Sequence, residues 1–393
     1  MLVRTALAAL VAATPVAHTR VVATNPVDTT PHVLDGIVNA ITLVGDTVIV
    51  GGAFSEVSDS SRTFVVERDN LFAYNVRTGA ILPEFAPSLD DPVYALAPGE
   101  DDTVYVGGSG LLRLSVSDGS AVEGFDPQVR GGQVTTLARS GSKLYAGGDF
   151  TRPRVALARL DATTGAADPT FAITPGAART PQVKVHALAL TRDRLIVDGS
   201  FTTLNGLPRP QLGVIDVGAA RAKVADWRTD AYAPACRDVF PSYVRGLDAA
   251  PDGSYFVVVT TGGYGGARKL CDSASRFETY ARGDRVKPTW VNHTGGDSLY
   301  SVAVTGAAVY VGGHQRWMDN PRGHDSAGPG AVPREGIAAI HPVSGKALSW
   351  NPGRERGIGV KAFLAHKDGL LVGSDTTRLG REYHARIGMF PLP

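Results

Sequence analysis

The chain has 393 residues, 43% of them hydrophobic and 20% charged, with 39 Lys and Arg against 38 Asp and Glu. This composition excludes a disordered chain, and a formal charge of +1 leaves no electrostatic footprint for a nucleic acid or an anionic membrane. Glycine (46) and proline (25) exceed average usage without reaching low complexity, which points to many turns.

At the N-terminus a single Arg4 precedes an apolar run over residues 6–13, too short to span a bilayer and of the length of a secretory signal. Val11-Ala12-Ala13 makes a cleavage site and Ala17 a second one. The expected organisation is a signal peptide in residues 1–13, extending to 17 if the second site is used, followed by one domain over residues 20–393. No later apolar stretch reaches the roughly 18 residues of a membrane span, so none is expected.

Along the chain one pattern recurs: an apolar strand, a short turn, a strand ending in Gly-Gly, a variable loop, then two strands joined by Thr-Gly or a relative. The anchors are residues 48–52, 104–108, 144–148, 195–199 (with Asp198 in place of the first glycine), 257–263, 309–313 and 370–374. The third copy is the cleanest. Its strands cover residues 134–138, 144–148 and 156–161, and Thr164-Gly165 turns into a fourth segment ending near Phe171. Hairpin turns and the lack of a 3.6-residue apolar period make the chain all-β. Seven four-stranded antiparallel blades arranged radially give a seven-bladed β-propeller. Phe85, Phe125, Phe171, Trp227, Trp290 and Trp350 close the first six blades and are expected to pack between neighbours. The seventh copy lacks a fourth strand before the chain ends. Val22-Ala23-Thr24-Asn25-Pro26 reads like Leu348-Ser349-Trp350-Asn351-Pro352, so the N-terminal strand is expected to complete the last blade.

On these residues the repeat resembles the delta-60 repeat of secreted bacterial β-propellers, and its Thr-Gly hairpin followed by Trp is similar to quinoprotein-like repeats. Asp149-Phe150 with Ala158-Arg159-Leu160-Asp161, and Ser200-Phe201-Thr202 with Leu204-Asn205-Gly206, carry the likeness most closely. Blade two departs by shrinking its second loop to Ser109-Gly110. Gly312-Gly313-His314-Gln315-Arg316-Trp317 and Asn351-Pro352-Gly353-Arg354 depart further and resemble an actinobacterial exported subgroup. The resemblance implies fold and export. It brings no catalytic residues and implies no bound quinone or other cofactor.

Antiparallel connectivity places the first-to-second and third-to-fourth turns on one face, and the second-to-third loops with the links between blades on the other. The second set holds nearly all the long loops, and a rigid scaffold with elaborated loops on one face is where binding or chemistry sits. The candidate ligand-binding residues on that face are His293, His314, Arg316, Trp317, Arg354, Arg356, Asp375 and His384, over blades five to seven. Arginines there suit carboxylates or phosphates, and His with Asp suits acid–base work near neutral pH. The chain carries no zinc-protease, nucleophile-elbow, phosphate-loop or calcium-loop motif, so no catalytic residue is assigned. The spacing of His314 and His384 is not diagnostic of zinc, and no metal is assigned. Cys236, in the link entering blade five, and Cys271, in that blade's second-to-third loop, fall on the same face and are expected to form a disulfide. The expected function is an exported extracellular or cell-envelope binding module, monomeric, recognising a cell-envelope ligand or a protein partner. A secreted hydrolase or lyase using the His/Arg/Asp group, and a structural surface protein, are the rival readings.

Overall fold

The computed structural model describes residues 16–393, so the expected signal peptide and its first cleavage site lie outside the described residues. Among the described residues, four smaller sheets are built from loop and link segments, and seven antiparallel sheets of three or four strands carry the repeat and follow one another along the chain. Their inner strands are Ile37–Val44, Ala95–Pro98, Val134–Ser140, Val185–Leu190, Val244–Ala249, Leu299–Val304 and Ala362–His366, and the sheets are numbered one to seven in that order. In each of these seven the second strand pairs with the inner strand on one side and the third strand on the other. The inner strands touch their neighbours in chain order, and that of sheet seven touches that of sheet one. This is the radial layout of a β-propeller.

The Gly-Gly anchors serve this packing. A Cβ on Gly51 would stand 2.4 Å from a methyl of Val93, the residue that opens the approach to sheet two. The same clash recurs at Gly107 with Val134, Gly147 with Val185 and Gly312 with Val360, and at Gly373 it is with Val38 of sheet one. In these five sheets that glycine is therefore the hole into which the next sheet's Val fits, a fit that dense interiors require. The cores follow the same rule. One apolar cluster joins Ile49, Leu71 and Ala73 of sheet one to Val93, Val104 and Leu114 of sheet two. Another joins Val38, Val48 and Val50 of sheet one to Ala362, Leu371 and Met389 of sheet seven. Second strands such as Val48-Ile49-Val50 are buried on both faces, which is why they read as unbroken apolar runs.

The expected four-stranded blades are corrected in part. A full fourth strand exists in sheet four (Lys223–Val224) and sheet five (Trp290–His293). In sheets one, two, three and six the outer segment pairs through a single bridge, Tyr74 with Ile81, Leu114 with Ala121, Leu160 with Ala167 and Ile340 with Ala347. The turn forms as expected: Asp161 accepts hydrogen bonds from the Thr163 and Thr164 amides, and Gly165 takes the positive φ (79°) that the turn demands. Past the bridge each outer segment adds one amide bond, from Leu82, Val122, Asp168 and Leu348, and pairing stops; in sheets one and three the next residue is Pro83 or Pro169, which has no N–H to continue a ladder.

The closing aromatics tie each sheet to the next. Trp227 donates its indole N–H to the Glu278 carbonyl of sheet five, and Trp290 to the Pro342 carbonyl beyond sheet six. Trp350 donates to the Ala23 carbonyl. The N-terminal segment runs along the third strand of sheet seven (Ile387–Pro391): Ala23 N–H donates to Pro391 at 2.8 Å and Val27 N–H to Met389 at 2.9 Å.

Candidate functional site

Between sheets six and seven, on the loop-rich side, lies a cleft of about 800 Å³ lined by five arginines (Arg316, Arg354, Arg356, Arg378, Arg381), Trp317 and the carboxylates Glu335 and Glu355. Arg316 and Trp317 come from the loop after the second strand of sheet six, where Trp317–Met318 forms a small hairpin with Val332–Pro333. Arg354 and Arg356 lie in the link to sheet seven. Arg378 and Arg381 belong to a second hairpin, Arg378–Leu379 with Glu382–Tyr383, beyond that sheet's second strand. Each wall thus stands on a short β-ribbon, which gives long loops defined positions.

Two carboxylates, Asp297 buried and Asp375 partly buried, hold the arginines in place. Asp297 takes Arg316 in a two-point pair, Nε to Oδ2 at 2.9 Å and Nη2 to Oδ1 at 3.0 Å, and also takes Arg356 Nη2 at 3.2 Å. Arg356 Nε donates to the His314 carbonyl. Asp375 takes Arg354 Nη2 at 3.1 Å and the Gly359 amide at 3.0 Å. Arg354 has no exposed side chain, and burial pulls its guanidinium down to about 10 against the opposing charge of Asp375. It is a floor post. Hydrogen bonds to Asp297 hold Arg316 charged, raising its pKa, and its guanidinium lies 4.4 Å from the Trp317 ring. Arg316 and Arg356 each keep an Nη1 without a protein partner among the described residues, and Arg378 is 61% exposed. The arrangement offers fixed guanidinium donors beside an aromatic face, which suits carboxylate or phosphate oxygens.

Of the residues singled out from sequence, Arg316, Trp317, Arg354 and Arg356 line this cleft, and Asp375 braces it from behind. His314 adjoins it through its carbonyl. Its ring is engaged elsewhere: Nε2 accepts the Ser298 amide at 3.2 Å, so the proton sits on Nδ1, 3.4 Å from the Ile358 carbonyl, and burial lowers its pKa. His293 is buried beside Cys271 and Asn320, also with a pKa lowered by burial, outside the cleft. His384 is buried against His32, 6.0 Å between ring centroids, with Glu382 at 3.7 Å. Asp28, Glu382 and His384 bring three groups able to ligate a metal within 4.8 Å of one another, but both carboxylates are exposed to water. Asp297, the hub of the site, escapes sequence reasoning because its partners lie 19 and 59 residues away. Asn292-His293-Thr294 matches a glycosylation acceptor, yet Asn292 is buried and its amide donates to Asp319 and Gly345. Cys236 and Cys271 stand in disulfide geometry, Cα atoms 5.9 Å apart.

The family model described as "Domain of unknown function (DUF5122) beta-propeller" matches residues 142–171, the second and third strands of sheet three and the turn beyond. Among solved structures, the chain is similar to the WD40 repeats of RRP9 at 14% identity, covering 94% of this chain and 99% of that one, with a TM-score of 0.58. It is similar to the WD40 β-propeller domain of Doa1 at 9% identity, over 92% and 94% of the two chains, with a TM-score of 0.54. The computationally designed Ika8 protein is similar at 12% identity over 93% and 98%, with a TM-score of 0.51. A comparison with curated proteins finds no match. At these identities the likeness carries the fold alone: the chain is an all-β protein of propeller architecture. No helix among the described residues is long and apolar enough to cross a membrane.

Proposed function

We propose that this chain is an exported, extracellular or cell-envelope binding module. In this reading it is a seven-bladed ring closed by its N-terminal segment, and the arginine-lined cleft between sheets six and seven takes a ligand bearing carboxylate or phosphate groups. The cleft itself carries the reading: five guanidiniums, two of them locked on Asp297, converge beside Trp317. The cysteine pair fits an oxidising compartment. The hydrolase reading has less support, because Asp297 and Asp375 are committed to arginines, the His314 ring to its neighbours and Glu355 to the Thr377 amide and hydroxyl, which leaves Glu335 as the cleft carboxylate without a hydrogen-bond partner among the described residues.

Poly-glutamate and inorganic polyphosphate are the probes. The double variant Arg378→Gln/Arg381→Gln removes two exposed guanidiniums whose contacts with the fold are slight, a 3.9 Å approach of Arg378 to Glu355 and a 3.5 Å bond from Arg378 to the Arg381 carbonyl. Its affinity for the probe that binds is expected to fall at least about tenfold, the loss of roughly one charge-assisted contact, with an unchanged melting temperature. Binding is expected to weaken with salt. Equal affinity of parent and variant for both probes, or binding of neither, overturns the assignment.

A further inference from the structure

Each inner strand is entered through the same three-residue step: an apolar residue, a variable one, then a small one. The copies are Val38-Asn39-Ala40, Val93-Tyr94-Ala95, Val134-Thr135-Thr136, Val185-His186-Ala187, Val244-Arg245-Gly246, Leu299-Tyr300-Ser301 and Val360-Lys361-Ala362. In five of the sheets the pairing register slips at the middle residue, the mark of a β-bulge, which re-aims a side chain. All seven middle residues line one axial cavity of about 230 Å³.

Two of these positions show what the fold asks for. The Asn39 amide donates to the Val93 carbonyl at 3.1 Å, and the Thr135 hydroxyl to the Val185 carbonyl at 2.8 Å. A short polar residue that bonds to the next sheet is enough. Sheets five and seven instead place cations on the axis. Arg245 donates to the Val244 carbonyl on its own strand and to the Ser242 carbonyl just before it, and the Lys361 ammonium sits 3.5 Å from the centre of the Tyr300 ring between them. Neither forms a salt bridge among the described residues, and no Asp or Glu lines the cavity. The carboxylates that act on these two cations are not among the residues lining the cavity. Asp198, which acts on Arg245, has its pKa raised by burial and already gives one oxygen to the Ala187 amide, and Asp375, which acts on Lys361, is committed to Arg354 and two amides. Two partly buried cations facing one cavity without a counter-charge repel each other and lack solvation, a cost that an anion between them removes.

We propose that the axial channel binds a small oxyanion, a phosphate or short carboxylate, between Arg245 and Lys361. This site shares no residue with the cleft between sheets six and seven. Burial lowers the Lys361 ammonium to about 8, so an anion beside it draws a proton onto the amine near that pH.

The test is calorimetric titration of the full chain with inorganic phosphate and, separately, malonate, at ionic strength matched with sodium chloride. One-to-one saturable binding of at least one probe is expected, and the tighter of the two identifies the chemistry. Lys361→Thr and Arg245→Thr install the residue found at the equivalent position of sheet three, and each is expected to weaken binding at least about tenfold. Arg378→Gln/Arg381→Gln leaves it unchanged, which separates this site from the cleft. Titration at pH 8 in two buffers of different ionisation enthalpy is expected to show proton uptake in the parent and none in Lys361→Thr, a readout that a general stabilising effect of phosphate would not produce. If Arg245→Thr does not fold, the Lys361→Thr affinity and proton count decide. Absence of saturable binding by both anions, or binding that survives Lys361→Thr, overturns the proposal.

Discussion

Asp198 stands opposite Ala187, at the position where five other sheets carry the glycine that receives the neighbour's side chain. Its Oδ1 accepts the Ala187 amide at 2.9 Å, and its buried Oδ2 has no partner. Burial raises its pKa from 3.8 to about 8. The sign follows from linkage. Below pH 4 both folded and unfolded chains carry the proton and the folded state loses nothing. As pH rises from about 4 to 8 the unfolded chain ionises first and folding gives up stability. Asp198→Asn keeps the acceptor and removes the titration. Between pH 5 and 9 it is expected to gain about 2–4 kcal/mol relative to the parent in denaturant melts. Parallel stability curves for the two proteins refute the assignment of a raised pKa.

At the scale of elements, what the sequence discloses depends on whether a constraint is local. The Gly-Gly anchors and Thr-Gly turns were legible because each is a fixed local requirement, space for Val93 at Gly51 or a positive φ at Gly165. The short outer strands were hidden because the apolar pattern runs on through Leu82 and Val122 while pairing stops there, at Leu82 because Pro83 removes the next donor. Arg316 and Trp317 could be picked out by loop length and departure from the repeat. The axial residues could not, since a bulge breaks the strand alternation and the seven side chains differ in type. Cys236 and Cys271 are 35 residues apart and join the link entering sheet five to the loop beyond its second strand. Replacing both by Ser is expected to cost about 4 kcal/mol in the chain-entropy account of such a loop, measured by denaturant melts against the oxidised parent. Two alkylatable thiols in the unreduced protein would contradict the bond.

For the molecule as a whole, a ring of sheets has an exposed edge wherever it fails to close, and exposed edges invite aggregation. The N-terminal segment runs along the third strand of sheet seven, and the proposed closure rests on it. His18 N–H donates to Thr305, Val22 N–H to the Tyr310 hydroxyl, and Ala23 and Val27 to the third strand of sheet seven. Val22 is 3% exposed, in the apolar cluster that holds Trp350 and Phe390. Trp350, like Trp227 and Trp290, needs a carbonyl on the next sheet, and Ala23 supplies it. Deleting residues 16–27 removes these contacts together: it leaves the Trp350 indole N–H without its acceptor, opens the apolar cluster around Val22 and exposes the edge of sheet seven. The expected outcome is a melting temperature lowered by at least about 10 °C, from several kcal/mol of lost burial and hydrogen bonding, together with concentration-dependent association. Val22→Asp is the milder check, placing an unpaired charge in the same cluster, and should lower the melting temperature in the same direction without changing the length of the chain. A deletion variant that stays monomeric and melts with the parent would mean that the ring holds without its N-terminal segment, and the closure reading would fall with it.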